Sequence, residues 1–483
     1  MKHWAMYIGG QWEQALSSAT YETINPANGQ AVGTAPYGGR ADAERAVAAA
    51  AAAFPAWSKR PAKERAELLH RIAARMTEAS EELAELITLE MGKPLAEARG
   101  EVKIAIDYLK WNAEEAVRAY GKVIPASVEG KRLLTIRQPV GPVGAITPWN
   151  FPLSMAARKL GPALAAGCTV VFKPAPQTPG AALKLAELAE REGLPPGVLN
   201  VVTGDAEEIG GVLLNHPAIR KITFTGSTAV GKKLLRGAAD QVKKMSMELG
   251  GHAPFIVFED ADLDEAVRGA MASKFRNAGQ TCICANRIYV QESIAAAFTD
   301  KLKSAVERLV VGDGRDPRTE LGPVIDARAL EKAERHVRDA VAKGAQVVTG
   351  GGRKTDTPGF FFEPTVLTGA TPDMQVMREE TFGPVAPIAS FRTEEEAIAM
   401  ANDTPYGLAA YFYTRDLSRM FRVHEALEYG IVGCNDAVPT TVQGPFGGVK
   451  ESGIGREGGP DSVADYLETK FVSIQIEETG ARA

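Results

Sequence analysis

The chain has 483 residues, of which 45% are hydrophobic and 24% are charged, and its formal net charge is −5. This length favours roughly three domains, and the hydrophobic fraction is typical of a globular protein and argues against disorder. No run of Lys or Arg forms a concentrated basic face, which argues against a nucleic-acid partner.

The cysteines, histidines and N-terminus indicate the compartment. Four scattered cysteines (Cys168, Cys282, Cys284 and Cys434) are too few for a disulfide framework and favour a reducing compartment, so we expect the cytoplasm. The N-terminus lacks a long apolar run, and the alanine run at 48–53 is short and flanked by charge, so we expect neither a signal peptide nor a membrane partner. The six histidines lack metal-ligand spacing, and we expect no metal.

The pattern of apolar residues changes along the chain. Residues 41–119 are alanine-rich, charged and helical in period, with Pro61 placed to begin one helix and Gly92 to end another. From about residue 140, apolar runs at 143–147, 168–173, 199–202 and 221–225 alternate with amphipathic stretches that follow Pro152, Pro179, Asp205 and Ser227. This alternation predicts a parallel, doubly wound α/β sheet.

A second alternating region follows Pro254. It predicts strands near 255–258, 286–291 and 407–413, and the tail at 468–476 predicts one more strand that pairs outside its own domain. We therefore expect two α/β lobes and a small extension.

Two glycine-rich strings match phosphate-binding motifs. The string 453–458 matches G-x-G-x-x-G, but a loop precedes it instead of a strand, so we predict a turn and no cofactor role. The string 226–232 follows a predicted strand and opens a helix, which suits an anion, although Lys233 stands where a P-loop needs Ser or Thr. Anion binding and simple helix capping by Gly226 and Ser227 remain equal alternatives.

Three segments carry groups suited to covalent catalysis. Cys282 ends the string Gly-Gln-Thr-Cys, among small and polar residues, and is the predicted nucleophile. Glu248 lies between apolar and glycine neighbours and is the predicted base for water. Asn150 is held between Pro148 and Pro152 at the carboxyl end of a predicted strand, where it can present a fixed amide donor.

These segments resemble the signature segments of the aldehyde dehydrogenase superfamily. The resemblance runs over the whole chain, through 8–12, 25–29, 148–153, 173–174, 224–231, 248–251, 280–282, 379–384 and 445–448. It implies an α/β, aldehyde dehydrogenase-like fold with a doubly wound Rossmann-type cofactor domain (1–120 and 140–249), an α/β catalytic domain (250–448) and a small β oligomerisation extension (121–139 and 467–483). It also implies a homodimer or homotetramer.

The resemblance implies a role for each group. Cys282 attacks the aldehyde carbon, Asn150 and the Cys282 N–H hold the oxyanion, Glu248 activates the water that hydrolyses the thioester, and Lys159 lies near the proton path. It assigns the NAD(P) cofactor to Ile146, Thr147, Pro148, Trp149, Lys173, Pro176, Gly204, Phe224, Gly226, Ser227, Glu380 and Phe382.

One of these positions bears on cofactor choice. NAD-preferring members of the family usually carry a glutamate three residues after the lysine at 173, where this chain has Pro176. Without that carboxylate, NAD loses two hydrogen bonds and the 2′-phosphate of NADP loses a repulsive neighbour. We therefore expect NADP to be preferred and NAD to bind with lower affinity.

The stretch 275–287 resembles the succinate-semialdehyde dehydrogenase branch. The resemblance assigns Arg158 and Arg287 to the distal carboxylate of the substrate, and places Thr440 and Thr441 where the branch has a serine. The alternatives are glutarate semialdehyde or a broad range of aldehydes, a structural ion pair at each arginine, a CoA-acylating reaction, which Glu248 argues against, and a non-catalytic protein.

The other cysteines are interpreted by their settings. Cys284 lies two residues after Cys282, a spacing that a disulfide can nearly span if the segment is extended, so a redox switch and a small core residue are both open. Cys168 and Cys434 stand in apolar, strand-like segments and are expected in the core.

Overall fold

The computed structural model describes residues 2–476. Met1 and 477–483, which include the end of the predicted oligomerisation segment, lie outside the described residues. The α-helices are α1 (Arg40–Trp57), α2 (Ala62–Glu78), α3 (Ser80–Met91), α4 (Leu95–Ala116), α5 (Pro152–Ala166), α6 (Pro179–Arg191), α7 (Ala206–Asn215), α8 (Thr228–Ala238), α9 (Leu263–Lys274), α10 (Ala295–Val306), α11 (Ala327–Ala342), α12 (Glu394–Asn402) and α13 (Leu417–Ala426). The strands are β1 (Lys2–His3), β2 (Met6–Ile8), β3 (Gln11–Glu13), β4 (Thr20–Ile24), β5 (Ala31–Pro36), β6 (Lys122–Ile124), β7 (Lys131–Pro139), β8 (Val143–Ile146), β9 (Val170–Lys173), β10 (Leu199–Val201), β11 (Lys221–Thr225), β12 (Lys244–Glu248), β13 (Ala253–Val257), β14 (Ala285–Gln291), β15 (Gln346–Thr349), β16 (Thr365–Thr368), β17 (Val385–Phe391), β18 (Ala409–Tyr413), β19 (Ile431–Cys434), β20 (Gly453–Ile454) and β21 (Leu467–Gln475).

An eight-stranded sheet positions the site. Its order is β20-β12-β11-β8-β9-β10-β2-β3, and the five strands from β12 to β10 are parallel. Helices α5 to α8 make the crossovers. Because the strand order reverses between β8 and β11, a crevice opens at their carboxyl ends, beside Thr147 and Gly226. The predicted doubly wound sheet is confirmed.

The two faces of this sheet bury separate cores. Apolar side chains of α2, α4, α5 and α6 form one cluster, and those of α1, α7 and α8 form the other. The strands read as continuous apolar runs because both faces are covered. For the same reason, the four strands predicted between 143 and 225 match β8 to β11 to within two residues at each end.

A seven-stranded sheet forms the second lobe, in the order β15-β16-β17-β14-β13-β18-β19, with only β15 antiparallel. The predicted strands correspond to β13, β14 and β18. The other strands of this sheet, β15, β16, β17 and β19, were missed, as were β1 to β5 at the N-terminus.

The tail pairs far from its neighbours in sequence. Strand β21 lies antiparallel to β7 from Leu467–Pro139 to Gln475–Lys131, and β6 completes this three-stranded sheet. The predicted strand is confirmed, and its partner is a strand far upstream in the sequence. In the part of the chain that the structure describes, no helix is both long and apolar enough to cross a membrane.

The prediction of a turn over 453–458 was partly wrong. Gly453 and Ile454 form β20, which pairs antiparallel with the end of β12. A Cβ on Gly453 would lie 2.3 Å from the Met247 carbonyl oxygen, so only glycine permits this pairing.

Candidate active site

Cys282 lies in a tight turn. The Cys284 N–H donates to the Thr281 carbonyl oxygen at 3.2 Å, and left-handed residues at Asn277, Ala278 and Gly279 precede the turn. A Cβ on Gly279 would meet the Gly383 carbonyl oxygen at 2.2 Å, so this position requires glycine. The turn leaves Cys282 half-buried, in the walls of two cavities that share it.

Residues 282–284 are therefore not extended, and of the two alternatives for Cys284 the structure favours the small core residue. The Cys284 Sγ atom is buried 3.4 Å from the Lys274 Nζ atom, and Cys284 lines neither of the two cavities that Cys282 lines. All four cysteines are free. Cys168 is buried as expected, whereas Cys434 is only partly buried at the edge of the core.

Asn150 lies beside the turn that carries Cys282. It follows β8, is 2% exposed, and its Nδ2 atom donates to the Gln280 carbonyl oxygen at 3.0 Å. One N–H of this amide remains for a ligand, and the Oδ1 atom has no hydrogen-bond partner among residues 2–476. This amide and Cys282 both line the first cavity, as an oxyanion site requires.

Glu248 ends β12 and is buried. Burial, followed by the negative charge of Glu457, raises its pKa well above the usual range, although Arg158, Lys159 and Arg456 oppose the shift. Its Oε2 atom lacks a hydrogen-bond partner within the described chain. The carboxyl group therefore holds a proton more tightly than an exposed glutamate does.

Lys159 connects to a carboxylate that sequence reasoning missed. Its Nζ atom donates to Glu457 Oε1 at 2.5 Å and to Thr223 Oγ1 at 3.2 Å, and the Arg158 Nε atom lies 3.2 Å from Glu457 Oε2. Burial acts against ionisation, but Lys159 and Arg158 lower the pKa of Glu457 overall. Glu457 is therefore the stronger acid of the two, and Glu248 is the weaker.

The first cavity, of about 340 Å³, opens at the crevice of the eight-stranded sheet. Six of the predicted cofactor residues line it: Pro148, Trp149, Gly226, Ser227, Glu380 and Phe382. It also contains Arg328 and Lys332 of α11, which no sequence motif had indicated. Ile146, Thr147, Lys173, Pro176, Gly204 and Phe224 lie outside it, on the neighbouring strand ends and loops.

This cavity presents groups suited to one end of a dinucleotide. Helix α8 begins there with Ser227 as its N-cap, and the buried Thr225 Oγ1 atom in its wall has no hydrogen-bond partner in the described range 2–476. Glu380 Oε1 accepts from the Gly251 N–H at 2.9 Å, and burial raises the pKa of Glu380 to about 7. The ring of Phe382 stands perpendicular to Trp149 at 5.6 Å.

Lys173 and Pro176 lie beyond this cavity. Burial lowers the pKa of Lys173 to about 8, and its Nζ atom donates to the Pro174 carbonyl oxygen at 3.2 Å. Pro176 is exposed. The nearby Asp205 carboxylate caps α7 and accepts from the Tyr37 hydroxyl, so three donors within the protein already occupy it.

The second cavity, of about 330 Å³, lies on the other side of Cys282 and contains Arg158 and Thr440. The Arg158 guanidinium stacks 3.8 Å from the Phe446 ring centroid, and its Nη2 atom has no hydrogen-bond partner between residues 2 and 476. Arg276, which the sequence analysis missed, also lines this cavity, and its buried Nε atom is likewise without a partner in the described structure.

The assignment of Arg287 to the substrate was wrong. Its side chain is 1% exposed on β14, and its guanidinium donates to the carbonyl oxygens of His252, Met400 and Ala401 at 2.9–3.1 Å and to the hydroxyls of two tyrosines. It holds the core together and does not line the cavity. Thr441 is also misplaced, since it is exposed in an adjoining surface groove and does not line the second cavity.

The chain is similar to known proteins over nearly its whole length. A family model described as the aldehyde dehydrogenase family matches residues 12–472. The chain is 53% identical over 468 residues to a glutarate-semialdehyde dehydrogenase of Pseudomonas aeruginosa, with 97% of each covered. It is 53% identical over 469 residues to the NADP(+) succinate-semialdehyde dehydrogenase GabD of Escherichia coli, again with 97% of each covered. A solved succinate-semialdehyde dehydrogenase from Burkholderia pseudomallei superposes with a TM-score of 0.97 at 52% identity, over 98% of each chain.

Proposed function

Because the chain belongs to the aldehyde dehydrogenase family, whose members oxidise aldehydes with NAD or NADP, we propose that its substrate is an aldehyde with a distal carboxylate, succinate semialdehyde first among them. The observation that carries this proposal is the pair of arginines, Arg158 and Arg276, in the cavity beside Cys282. Guanidinium groups with free donors suit a carboxylate, because each presents aligned N–H groups. Arg276 takes the place that the resemblance had given to Arg287.

Glutarate semialdehyde is the second candidate. It differs by one methylene, and a relative of that name is 53% identical to this chain. Thr440 supplies a hydroxyl in the same cavity, but it has one methyl group more than the serine of the branch, and this methyl group affects the length of substrate that the cavity accepts. One methylene changes discrimination by only about 10- to 200-fold, so both substrates are expected to react at different rates.

In the first half of the reaction, Cys282 attacks the aldehyde carbon. Burial raises the pKa of this thiol to about 12, with Arg158 acting in the opposite direction, so the thiol is protonated at rest. It releases its proton to solvent in the adjoining cavities as the sulfur bonds to the aldehyde carbon and the carbonyl electron pair moves to oxygen. The free N–H of Asn150 and the Cys282 N–H hold the developing oxyanion. The dinucleotide, when bound against Trp149 and Glu380, supplies the acceptor for the hydride.

In the second half, Glu248 takes a proton from the water that hydrolyses the Cys282 thioester. Glu457 and Lys159 form a buried polar pair, and the negative charge of Glu457 raises the pKa of Glu248, which favours its taking up this proton. A base of this kind is needed for hydrolysis and not for transfer of the acyl group to coenzyme A.

We expect NADP to be preferred over NAD. Support comes from Lys173, whose ammonium group has a carbonyl as its hydrogen-bond partner, and from Pro176, which leaves no carboxylate there to repel a 2′-phosphate. The Escherichia coli relative carries NADP(+) in its name. The test is the dissociation constant of each cofactor for the wild-type protein and for Pro176→Glu. This substitution should lower the dissociation constant of NAD and raise that of NADP.

We also propose that β6, β7 and β21, with segments 121–139 and 467–483, join subunits into a homodimer or homotetramer. This sheet exposes apolar side chains, among them Val123 at 87% and Phe471 at 59%. The other proposed units are the cofactor domain (1–120 and 140–249) and the catalytic domain (250–448). Four free thiols support the cytoplasm as the compartment.

The proposed substrate class is tested by initial rates of NADPH and NADH formation with succinate semialdehyde, glutarate semialdehyde and butanal. We expect kcat/KM for one of the two acids to exceed that for butanal at least about tenfold. Equal values for all three would refute the carboxylate site, and a rate that depends on added coenzyme A would refute hydrolysis.

A further inference from the structure

Lys93 and Glu101 are a buried ion pair beside the oxyanion amide. Both side chains are 0% exposed, and the Lys93 Nζ atom donates to Glu101 Oε2 at 2.6 Å. Lys93 lies two residues before α4, and Glu101 lies within it. A buried pair of this kind seldom adds stability over an apolar pair, so its presence calls for another reason.

The pair holds the backbone on both sides of Asn150. The Lys93 Nζ atom also donates to the Asn150 carbonyl oxygen at 2.8 Å and stacks 3.8 Å from the ring of Phe151. Glu101 Oε1 accepts from the N–H groups of Leu153 and Ser154, at 2.9 and 3.2 Å. These are the first donors of α5, whose N-cap residue, Phe151, has no side-chain acceptor, so Glu101 caps this helix from another element.

Helix α4 also reaches the turn that carries Cys282. Glu97 lies one turn before Glu101, and its Oε2 atom accepts from the Asn277 N–H at 2.9 Å. The Asn277 Nδ2 atom in turn donates to the carbonyl oxygens of Asn150 and Gln280, both at 3.1 Å. The Asn150 carbonyl oxygen therefore receives one donor from Lys93 and one from the segment that carries Cys282.

We propose that Lys93 and Glu101 are positioning residues that fix the Asn150 amide relative to Cys282. The inference rests on the proposed role of Asn150 in holding the oxyanion. Lys93 fixes the carbonyl end of Asn150, Glu101 fixes the helix that follows, and the side-chain amide is left with one N–H toward the first cavity. An oxyanion donor must be held to within a fraction of an ångström, and a rigid ion pair does this without contacting the substrate.

The test compares Lys93→Met with the paired variant Lys93→Met/Glu101→Gln. The paired variant leaves no unpaired buried charge, and its introduced amide retains an acceptor for α5, so it preserves the fold if the single variant does not. The matched control is Lys63→Met, which removes an exposed lysine that pairs with Glu67 on α2. The measurements are the rate of NADPH formation in the first turnover, KM for the aldehyde and Tm.

We expect the first turnover to slow by about tenfold to a hundredfold in both variants, since small displacements of a catalytic group have effects of this size. KM for the aldehyde and the rate of Cys282 alkylation by iodoacetamide should change by less than about twofold, as should every parameter of the control. In an Asn150→Ala background, Lys93→Met should slow the reaction no further, because it acts through Asn150.

Two results with the Lys93 variants would overturn the positioning role. One is that Lys93→Met slows the first turnover in the Asn150→Ala background by the same factor as in wild type. The other is that the paired variant is folded and as fast as wild type. If Asn150→Ala itself reacts at the wild-type rate, the proposed oxyanion role fails and this inference fails with it. If Asn150→Ala is slow and the paired variant is not, the positioning role alone fails.

Discussion

Arg276→Met tests the carboxylate site directly. Methionine keeps much of the side-chain length and removes the guanidinium, whose buried Nε atom lacks a hydrogen-bond partner in the described chain. A hydrogen bond to a charged group contributes about 1.5–3 kcal/mol, which corresponds to about 10- to 150-fold in kcat/KM. We expect a loss of this size for succinate semialdehyde and less than about twofold for butanal, which has no carboxylate. Arg158 remains in the variant, so activity is reduced and not abolished.

Arg287→Met is the matched contrast. It removes the side-chain donor to the His252 carbonyl oxygen and leaves those of Met400 and Ala401 with tyrosine hydroxyl donors alone, and each buried group left unsatisfied costs about 1–3 kcal/mol. We therefore expect Tm to fall while the ratio of kcat/KM between succinate semialdehyde and butanal stays as in wild type. The assay is initial rates with both aldehydes, followed by thermal melts of both variants. If Arg276→Met slows the two aldehydes equally, or if Arg287→Met changes their ratio, the assignment of the carboxylate site is refuted.

The remaining predictions concern the chemistry and the assembly. Cys282→Ala should abolish turnover and leave the NADP dissociation constant within about twofold of wild type; measurable steady turnover would exclude this nucleophile. Glu248→Gln should keep the first-turnover burst of NADPH and slow the steady rate, whereas loss of the burst would move Glu248 to an earlier step. Because its raised pKa keeps Glu248 protonated at low pH, the deacylation rate should rise with pH. Glu457→Gln removes a negative neighbour and should shift that rise to lower pH, and an unshifted profile would contradict the coupling. Phe471→Glu should reduce the mass of the assembly measured by light scattering, and an unchanged mass would contradict the proposed interface at β21.

The strands around the site could be predicted from the sequence because their burial is uniform. Strands β8 to β11 are covered on both faces, and an apolar run between helix-forming stretches has few other interpretations. The same uniformity explains the error at Arg287. Six of the seven residues of β14 are buried, so alternation along the strand could not show that this arginine faces the core.

Arg276 could not be found by the same reasoning. It precedes the left-handed run Asn277–Gly279, and the direction of its side chain depends on those backbone angles. A run of this kind requires support from the surrounding structure, here from hydrogen bonds to Glu97 and Asn150 that come from distant parts of the chain. The turn at 281–284 follows directly on this run, and its bend likewise could not be read from the sequence.

The glycine-rich string at 453–458 shows why a motif can be real and its ligand wrong. Glycine is required wherever a backbone approaches another group closely, and the sequence does not reveal whether that group is a phosphate or the chain itself. Here Gly453 approaches the Met247 carbonyl oxygen. A Cβ on Gly447, just upstream, would lie 2.8 Å from the Glu248 carboxylate, which is too close for a side chain. Both glycines pack against the end of β12, and the glutamate within the string, Glu457, is thereby brought beside Glu248. In the proposed mechanism the string therefore supports the base that activates water, and the proposed dinucleotide site lies instead where Ser227 begins α8.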